Sequence, residues 1–174
     1  FEHFYEFRAA KLVGFPLPAR QPSQFPTTLV KTSTAMQAQS PAATLASWGG
    51  PEGGELREWL TRARDGFGEK RRQLIAWQEE LDWQIYEAFG LVEGAAARGP
   101  ATVSLPEGAA VDAIPPEGIE LGQRAFEIVL ARRMAAGEVQ STWFERHGST
   151  PITEVPRHWP APYRELVERR LRRI

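Results

Sequence analysis

The sequence contains no cysteine, which excludes a disulfide framework and any thiolate metal site, and with no sign of an oxidising compartment the cytoplasm is the expected location. No apolar run approaches the ~20 residues that a membrane span needs, so a soluble chain with no membrane partner is expected. The first residue is Phe1 rather than Met, and no basic, apolar and small-residue leader follows it, so the reading is an internal piece of a larger protein. Lysine is scarce: only Lys11, Lys31 and Lys70 among 21 basic residues. An arginine excess suits bidentate phosphate recognition. Beside the abundant Ala, Gly and Pro, however, it reads first as the compositional bias of a GC-rich genome. The net charge of −1 supplies no general attraction to nucleic acid or an anionic membrane.

What is present suits a globular chain. At 174 residues, 42% of them hydrophobic and 25% charged, one domain or two small ones can form. Such a chain buries roughly 70% of its unfolded surface. Phe1, Phe4, Tyr5, Arg8 and Leu12 share a helical side that stops at Gly14, and four prolines between Phe15 and Pro26 predict an extended connector. Thr27 to Ala46 predicts a weak helix, which dissolves into the linker SWGGPEGG. Glu55–Arg64 and a longer helix from Gly66 or Glu69 to Phe89 predict a hairpin turning around Gly66 and Gly68. The apolar stripe of the longer helix is Phe67, Leu74, Trp77, Leu81, Ile85 and Ala88, with Trp83 opposite and more than one packing neighbour expected. Residues 94–120, with Pro115 and Pro116, read as a linker. Leu121 to Ala136 resumes helical spacing up to Gly137, Glu138 to Arg146 extends it after a break, and a final helix begins near Pro160 to Pro162. The fold class is mainly α: helical hairpins and short helices joined by Pro/Gly-rich extended linkers.

Most motifs are discarded on chemical grounds. The glycines of GGPEGG follow no strand and precede no Gly-Lys-Ser or Gly-Lys-Thr, so a flexible linker is favoured over a phosphate loop. His147, Ser149 and Glu145 are too close in sequence to form a nucleophilic relay, and no Gly-x-Ser-x-Gly elbow exists. His3, His147 and His158 lack metal-ligand spacing. Glu79, Glu80 and Asp82 read as a solvated side. Trp143, Phe144 and Trp159 have the residue type that stacks on bases, but packing inside the fold is the stronger reading. On the final helix Tyr163, Leu166, Val167, Leu171 and Ile174 form an apolar face. Arg170 falls in its middle, where it needs a carboxylate or carbonyl partner. Glu165 with Arg169, and Glu168 with Arg172, are spaced for ion pairs on the other face.

Read as strings, three segments carry a resemblance. FYEFRAAKLVGFPLP at 4–18 looks like the run closing the target-recognition domain of large single-chain restriction-modification methyltransferases, with Arg8, Ala9 and Ala10 replacing their Thr-Gly-Thr. LIAWQEELDWQIYEAFGL at 74–91 resembles the helix that follows that domain. The long stretch at 121–171, from LGQRAFEIVLARRM to the final ELVERRL, is similar to the adenine-specific DNA methyltransferases of BREX phage-defence systems, the PglX family.

The resemblance implies a fragment of a larger α/β enzyme that uses S-adenosylmethionine to methylate adenine N6 in DNA. With the element reading above, it divides the chain into 1–18, which the resemblance makes the end of a target-recognition domain; 19–54, an extended connector and weak helix; 55–93, a helical hairpin; 94–120, a linker; and 121–174, a C-terminal helical segment. The family's Asn-Pro-Pro-Tyr motif and cofactor glycines do not occur in this sequence, so no catalytic, cofactor-binding or metal residue is assigned and the chain alone is expected to be inactive. The expected role is non-catalytic support of DNA recognition, with phosphate contacts assigned to Arg8, Lys11, Arg146 and Arg157. The alternative is a scaffold that docks other phage-defence components and does not touch DNA.

Overall fold

A computed structural model describes residues 24–51, 55–89, 91 and 114–174. Six helices lie among the described residues, with no strand. They are α1 (Gln24–Gln37), α2 (Pro41–Ser47), α3 (Leu56–Ala88), α4 (Ala125–Ala135), α5 (Trp143–His147) and α6 (Ala161–Leu171). The mainly helical class expected from the sequence is the one observed. No helix among the described residues is long and apolar enough to cross a membrane. The aromatic helix expected at 1–12, the connector up to residue 23 and most of the 94–120 linker lie outside the described residues; the last part of the expected connector, residues 24–26, is already the first turn of α1, where a proline is tolerated.

The weak helix expected at 27–46 is two helices. Ser40 divides them, because its hydroxyl accepts from the Ala43 amide at 3.4 Å while Pro41 takes the first helical position. Both helices pack on α3. Trp59 Nε1 donates to the Thr44 carbonyl at 3.3 Å, which fixes α2 against the start of α3.

The hairpin expected at Gly66 and Gly68 does not form: α3 runs unbroken for 33 residues through both glycines. Each glycine weakens a helix interior by ~1 kcal/mol relative to alanine but need not break it. Gly66 also has a packing reason to be small, since a Cβ there would stand 2.7 Å from Gln39 Oε1 in the turn between α1 and α2. α1 and α2 instead supply the helices that lie against α3.

The second half of α3 carries the core. Ala76 is fully buried with Ile114, Ile119, Ile128, Trp159, Tyr163 and Val167, and Ile75, Trp77, Ile152, Val155, Leu166 and Leu171 close around them. The last part of the expected linker is therefore core. Ile114, Pro115 and Ile119 are buried, and the segment lies across α3 with Ile119 N donating to the Arg72 carbonyl at 3.2 Å and Arg72 Nε donating to the Glu117 carbonyl at 3.1 Å. Gly118 makes this approach possible: its φ is +76°, and a Cβ would collide with the Arg72 carbonyl group. Prolines and glycine read as linker chemistry, yet an extended strap needs the same residues.

Candidate functional site

The residues that join the helices are charged and buried. On α3, Glu79 and Glu80 are 4% and 3% exposed, which corrects the solvated side expected for them; Asp82 alone stays on that side, accepting from Gln78 Nε2 at 2.7 Å. Glu80 receives the guanidinium of Arg170 on α6 through two hydrogen bonds, Nη1 to Oε1 at 2.6 Å and Nη2 to Oε2 at 2.7 Å. This is the partner that an arginine inside the α6 apolar face requires. The guanidinium also lies over Trp83, 4.9 Å from the ring centroid. Burial disfavours the Arg170 charge, but the Glu80 carboxylate outweighs it and holds the pKa above the ordinary arginine value. Tyr163 packs edge-on against Trp159 at 5.2 Å, and burial, reinforced by the nearby Glu80 charge, pushes its phenol well above its ordinary pKa.

Glu79 turns toward α4. Its Oε1 accepts from Trp83 Nε1 at 2.8 Å and from the Ala125 amide at 3.1 Å, so a side chain of α3 satisfies an orphan donor at the α4 N-terminus. Burial raises the Glu79 pKa despite the opposing pull of Arg170 and these two donors. Glu127, in the first turn of α4, is fully buried. It collects four donors: Gly122 N at 2.7 Å, Arg124 N at 3.1 Å, Arg124 Nη2 at 3.0 Å and Trp143 Nε1 at 3.0 Å. Burial pushes its pKa up, but the bonds from Arg124 and Trp143 prevail and the net shift is downward. Two carboxylates thus meet the positive end of one helix, one supplied from α3 and one from α4 itself.

This arrangement can hold helices in register. Each buried charge is spent on an internal partner, and no group of three metal-ligating side chains occurs among the described residues. His147 stacks on Trp143 at 4.0 Å, and its Nδ1 lies 2.7 Å from the Trp143 carbonyl, so it is engaged locally rather than with Ser149. Phe144 and Trp159 are buried, as the packing reading requires, while Trp143 is half-buried against Phe126 and Glu127.

Of the phosphate contacts expected from the sequence, Arg8 and Lys11 lie outside the described residues. Arg146 is exposed on α5 and Arg157 is exposed in the turn before α6, with no hydrogen bond or ion pair joining them. On α6 the expected pairs Glu165–Arg169 and Glu168–Arg172 do not close within 4 Å; these side chains line a shallow groove with Val155, Ala161 and Arg164. The carboxylates Glu79, Glu80 and Glu127 were missed by sequence reasoning. Arg170, which called for a carboxylate or carbonyl partner, was a signal for Glu80 alone.

A family model described as a domain of unknown function (DUF7008) matches residues 74–174. That span starts just before Ala76 and takes in every residue of the buried network. The chain is also 45% identical over 169 residues to the adenine-specific methyltransferase PglX of Streptomyces coelicolor. The alignment covers 96% of this chain but only 13% of that relative, so the chain spans about an eighth of its length. No solved structure matches the chain.

Proposed function

This chain belongs to the family described as a domain of unknown function (DUF7008), and from that premise we propose that it is a non-catalytic C-terminal brace of a PglX-type adenine-specific DNA methyltransferase. In this reading the rest of the protein binds S-adenosylmethionine and transfers the methyl group, in a phage-defence setting. The brace holds the DNA-recognition part in register with the catalytic part. One observation carries the reading: the Glu80–Arg170 pair and the Glu79–Ala125 bond tie three helices together through buried directional contacts. A buried ion pair adds little net stability over an apolar core of the same shape, but it fixes one arrangement against alternatives, which is the property a positioning element needs.

The test is Glu80→Gln in the intact methyltransferase. Cofactor affinity, read by calorimetry, should stay at the parental value. Methylation of target DNA should fall roughly tenfold, as about 1.4 kcal/mol of lost positioning would give. Equal loss of cofactor binding would mean the chain belongs to the catalytic fold, and the reading would fall.

A second reading, docking of other defence components without DNA contact, is favoured by the α3 stripe. Leu74, Trp77, Leu81 and Ile85 are only half-buried, although α1 packs on α3. Salt separates the two: phosphate binding weakens steeply as salt rises, whereas apolar docking does not.

A further inference from the structure

Of the exposed arginines in the first half of α3, Arg57, Arg64 and Arg71 stand at intervals of seven residues, while Arg62 lies over the Trp59 ring on another side. Seven residues are nearly two turns, so the three share one face with a drift of about 20° per step, and they stand about 10.5 Å apart along the axis. Along Arg57 and Arg64 the fold turns this face away from α1 and α2, and only one turn beyond Arg71 does Ile75, on the same face, pack on the core. Trp59, which holds α2, and Gly66, which abuts Gln39, each stand two residues beyond an arginine of the row, some 200° round the helix. Ala76 and Glu80, which face the core and α6, stand about 140° and 180° from Arg71.

Charge is sorted in the same way. Glu55, Glu58, Asp65 and Glu69 fall about 80–160° from the arginine row. Residues 24–51, which form α1 and α2, contain no acidic residue and one base, Lys31. Among the described residues Arg57 and Arg71 make no ion pair. That of Arg64, to adjacent Asp65, is 3.6 Å long between side chains 79% and 67% exposed, which leaves it open to competition. Arg57 and Arg64 flank a shallow groove floored by Leu56 and Leu60.

We propose that the row Arg57, Arg64 and Arg71 binds the phosphate backbone of double-stranded DNA. The inference rests on the brace reading for its ligand and names the surface of this chain that touches it. The row lies outside the span matched by the family model, and none of its members belongs to the buried network. Each strand of DNA carries one phosphate per ~3.4 Å of duplex axis, so three guanidinium groups on long side chains spread over about 21 Å can each meet a separate phosphate of the duplex. Such contacts set register without reading sequence.

The experiment measures DNA affinity against salt for the intact methyltransferase. Its arms are the parent; R57Q/R64Q/R71Q; R57K/R64K/R71K, which keeps the charge; and R133Q/R172Q/R173Q, which removes as much charge from exposed positions elsewhere. Helical ellipticity and the thermal midpoint of each variant confirm that it is folded. The glutamine row variant should lose roughly 2.7 from the log-log slope, about 0.9 for each phosphate contact, while the lysine and control variants keep the parental slope. A parental slope in the glutamine row variant overturns the proposal, and so does an equal loss in the control. An affinity loss without a slope change does so too, since the face would then meet an uncharged partner. The brace reading is judged apart, by Glu80→Gln: if that variant loses methylation while the row variant keeps its slope, the row fails and the brace stands.

Discussion

Arg170 and Glu80, 90 residues apart, share two near-parallel hydrogen bonds of 2.6 and 2.7 Å in a site where both side chains are almost fully buried. Removing one partner leaves the other as an uncompensated buried charge, with an expected cost of about 3–5 kcal/mol. Arg170→Ala should therefore be strongly destabilising. Replacing both, as Glu80→Leu with Arg170→Met, removes the two desolvation penalties together and should return stability to within about 1 kcal/mol of the parent. Urea midpoints of the chain followed by tryptophan fluorescence check this. A double variant no better than Arg170→Ala would mean that the pair itself, not the orphaned charge, supplies the stability.

The two carboxylates at the start of α4 should respond to pH in opposite senses. Glu127 has a folded pKa below the ordinary 4.5, so its contribution is complete above 4.5 and is lost as pH falls through the lowered value. Glu79 has a raised folded pKa, so between 4.5 and that value the folded state holds the extra proton, and stability falls as pH rises through this window. Glu127→Gln should cost about 1–3 kcal/mol at neutral pH, because an amide cannot accept all four donors, and should flatten the acid limb of stability. Glu79→Gln keeps an acceptor for Trp83 and Ala125 and should change the neutral midpoint little while removing the opposing trend. Urea midpoints from pH 7 down to about 3 would show both; parallel profiles for the two variants would contradict the opposite shifts.

Gly118 and Gly137 share a left-handed backbone, with φ of +76° and +74°, but differ in surroundings. At Gly137 a Cβ meets nothing within 4 Å, so Gly137→Ala should cost only the conformational penalty of about 1–2 kcal/mol. At Gly118 the Cβ would strike the Arg72 backbone, so Gly118→Ala should cost clearly more and loosen the strap over α3. Thermal midpoints decide it, and equal losses would mean that the strap lifts freely.

The parts legible in the sequence are those set by local pattern. The α6 face placed Tyr163 and Val167 in the core, and it marked Arg170 as a residue in need of a carboxylate or carbonyl partner, which is Glu80. The helix expected from Leu121 to Ala136 is α4, which begins four residues later, at Ala125, and ends before Gly137 as expected. The rest depends on partners far away in the chain. Glu79 and Glu80 look like any charged helix side until Ala125 and Arg170 arrive, and the fully buried position between them and the strap is the small Ala76 rather than Leu81. The Leu74, Trp77, Leu81 and Ile85 stripe is real in periodicity, but its half-burial places Leu81→Ala below the roughly 2–5 kcal/mol of a fully buried leucine. Glu127 escaped notice because its half of a capping box is closed by the backbone of an arginine, where Ser or Thr would give the signature.

The continuity of α3 gives the sharpest test of structure against pattern, because a hairpin and a helix make opposite demands on the same glycines. In a turn at Gly66 and Gly68 an added Cβ would restrict a backbone that needs freedom, and alanine would be expected to destabilise. In an unbroken helix Gly68 is a weak interior residue whose nearest neighbour to a new Cβ would be Arg72 Nη1 at 3.7 Å, an ordinary contact. Gly68→Ala should therefore stabilise the chain by about 0.5–1 kcal/mol, through helix propensity and a less disordered unfolded state. Gly66→Ala gains the same propensity but must displace the Gln39 amide, which lies 2.7 to 2.9 Å from the new atom and whose Oε1 is already buried without a hydrogen bond. That amide ends a flexible side chain, so the displacement should offset the gain rather than reverse it strongly, leaving Gly66→Ala near neutral. Helical ellipticity and urea midpoints of both variants provide the measurement. A loss of stability in Gly68→Ala would show that the chain turns where its glycines suggest, and the row of arginines from Arg57 to Arg71 would then no longer share one face.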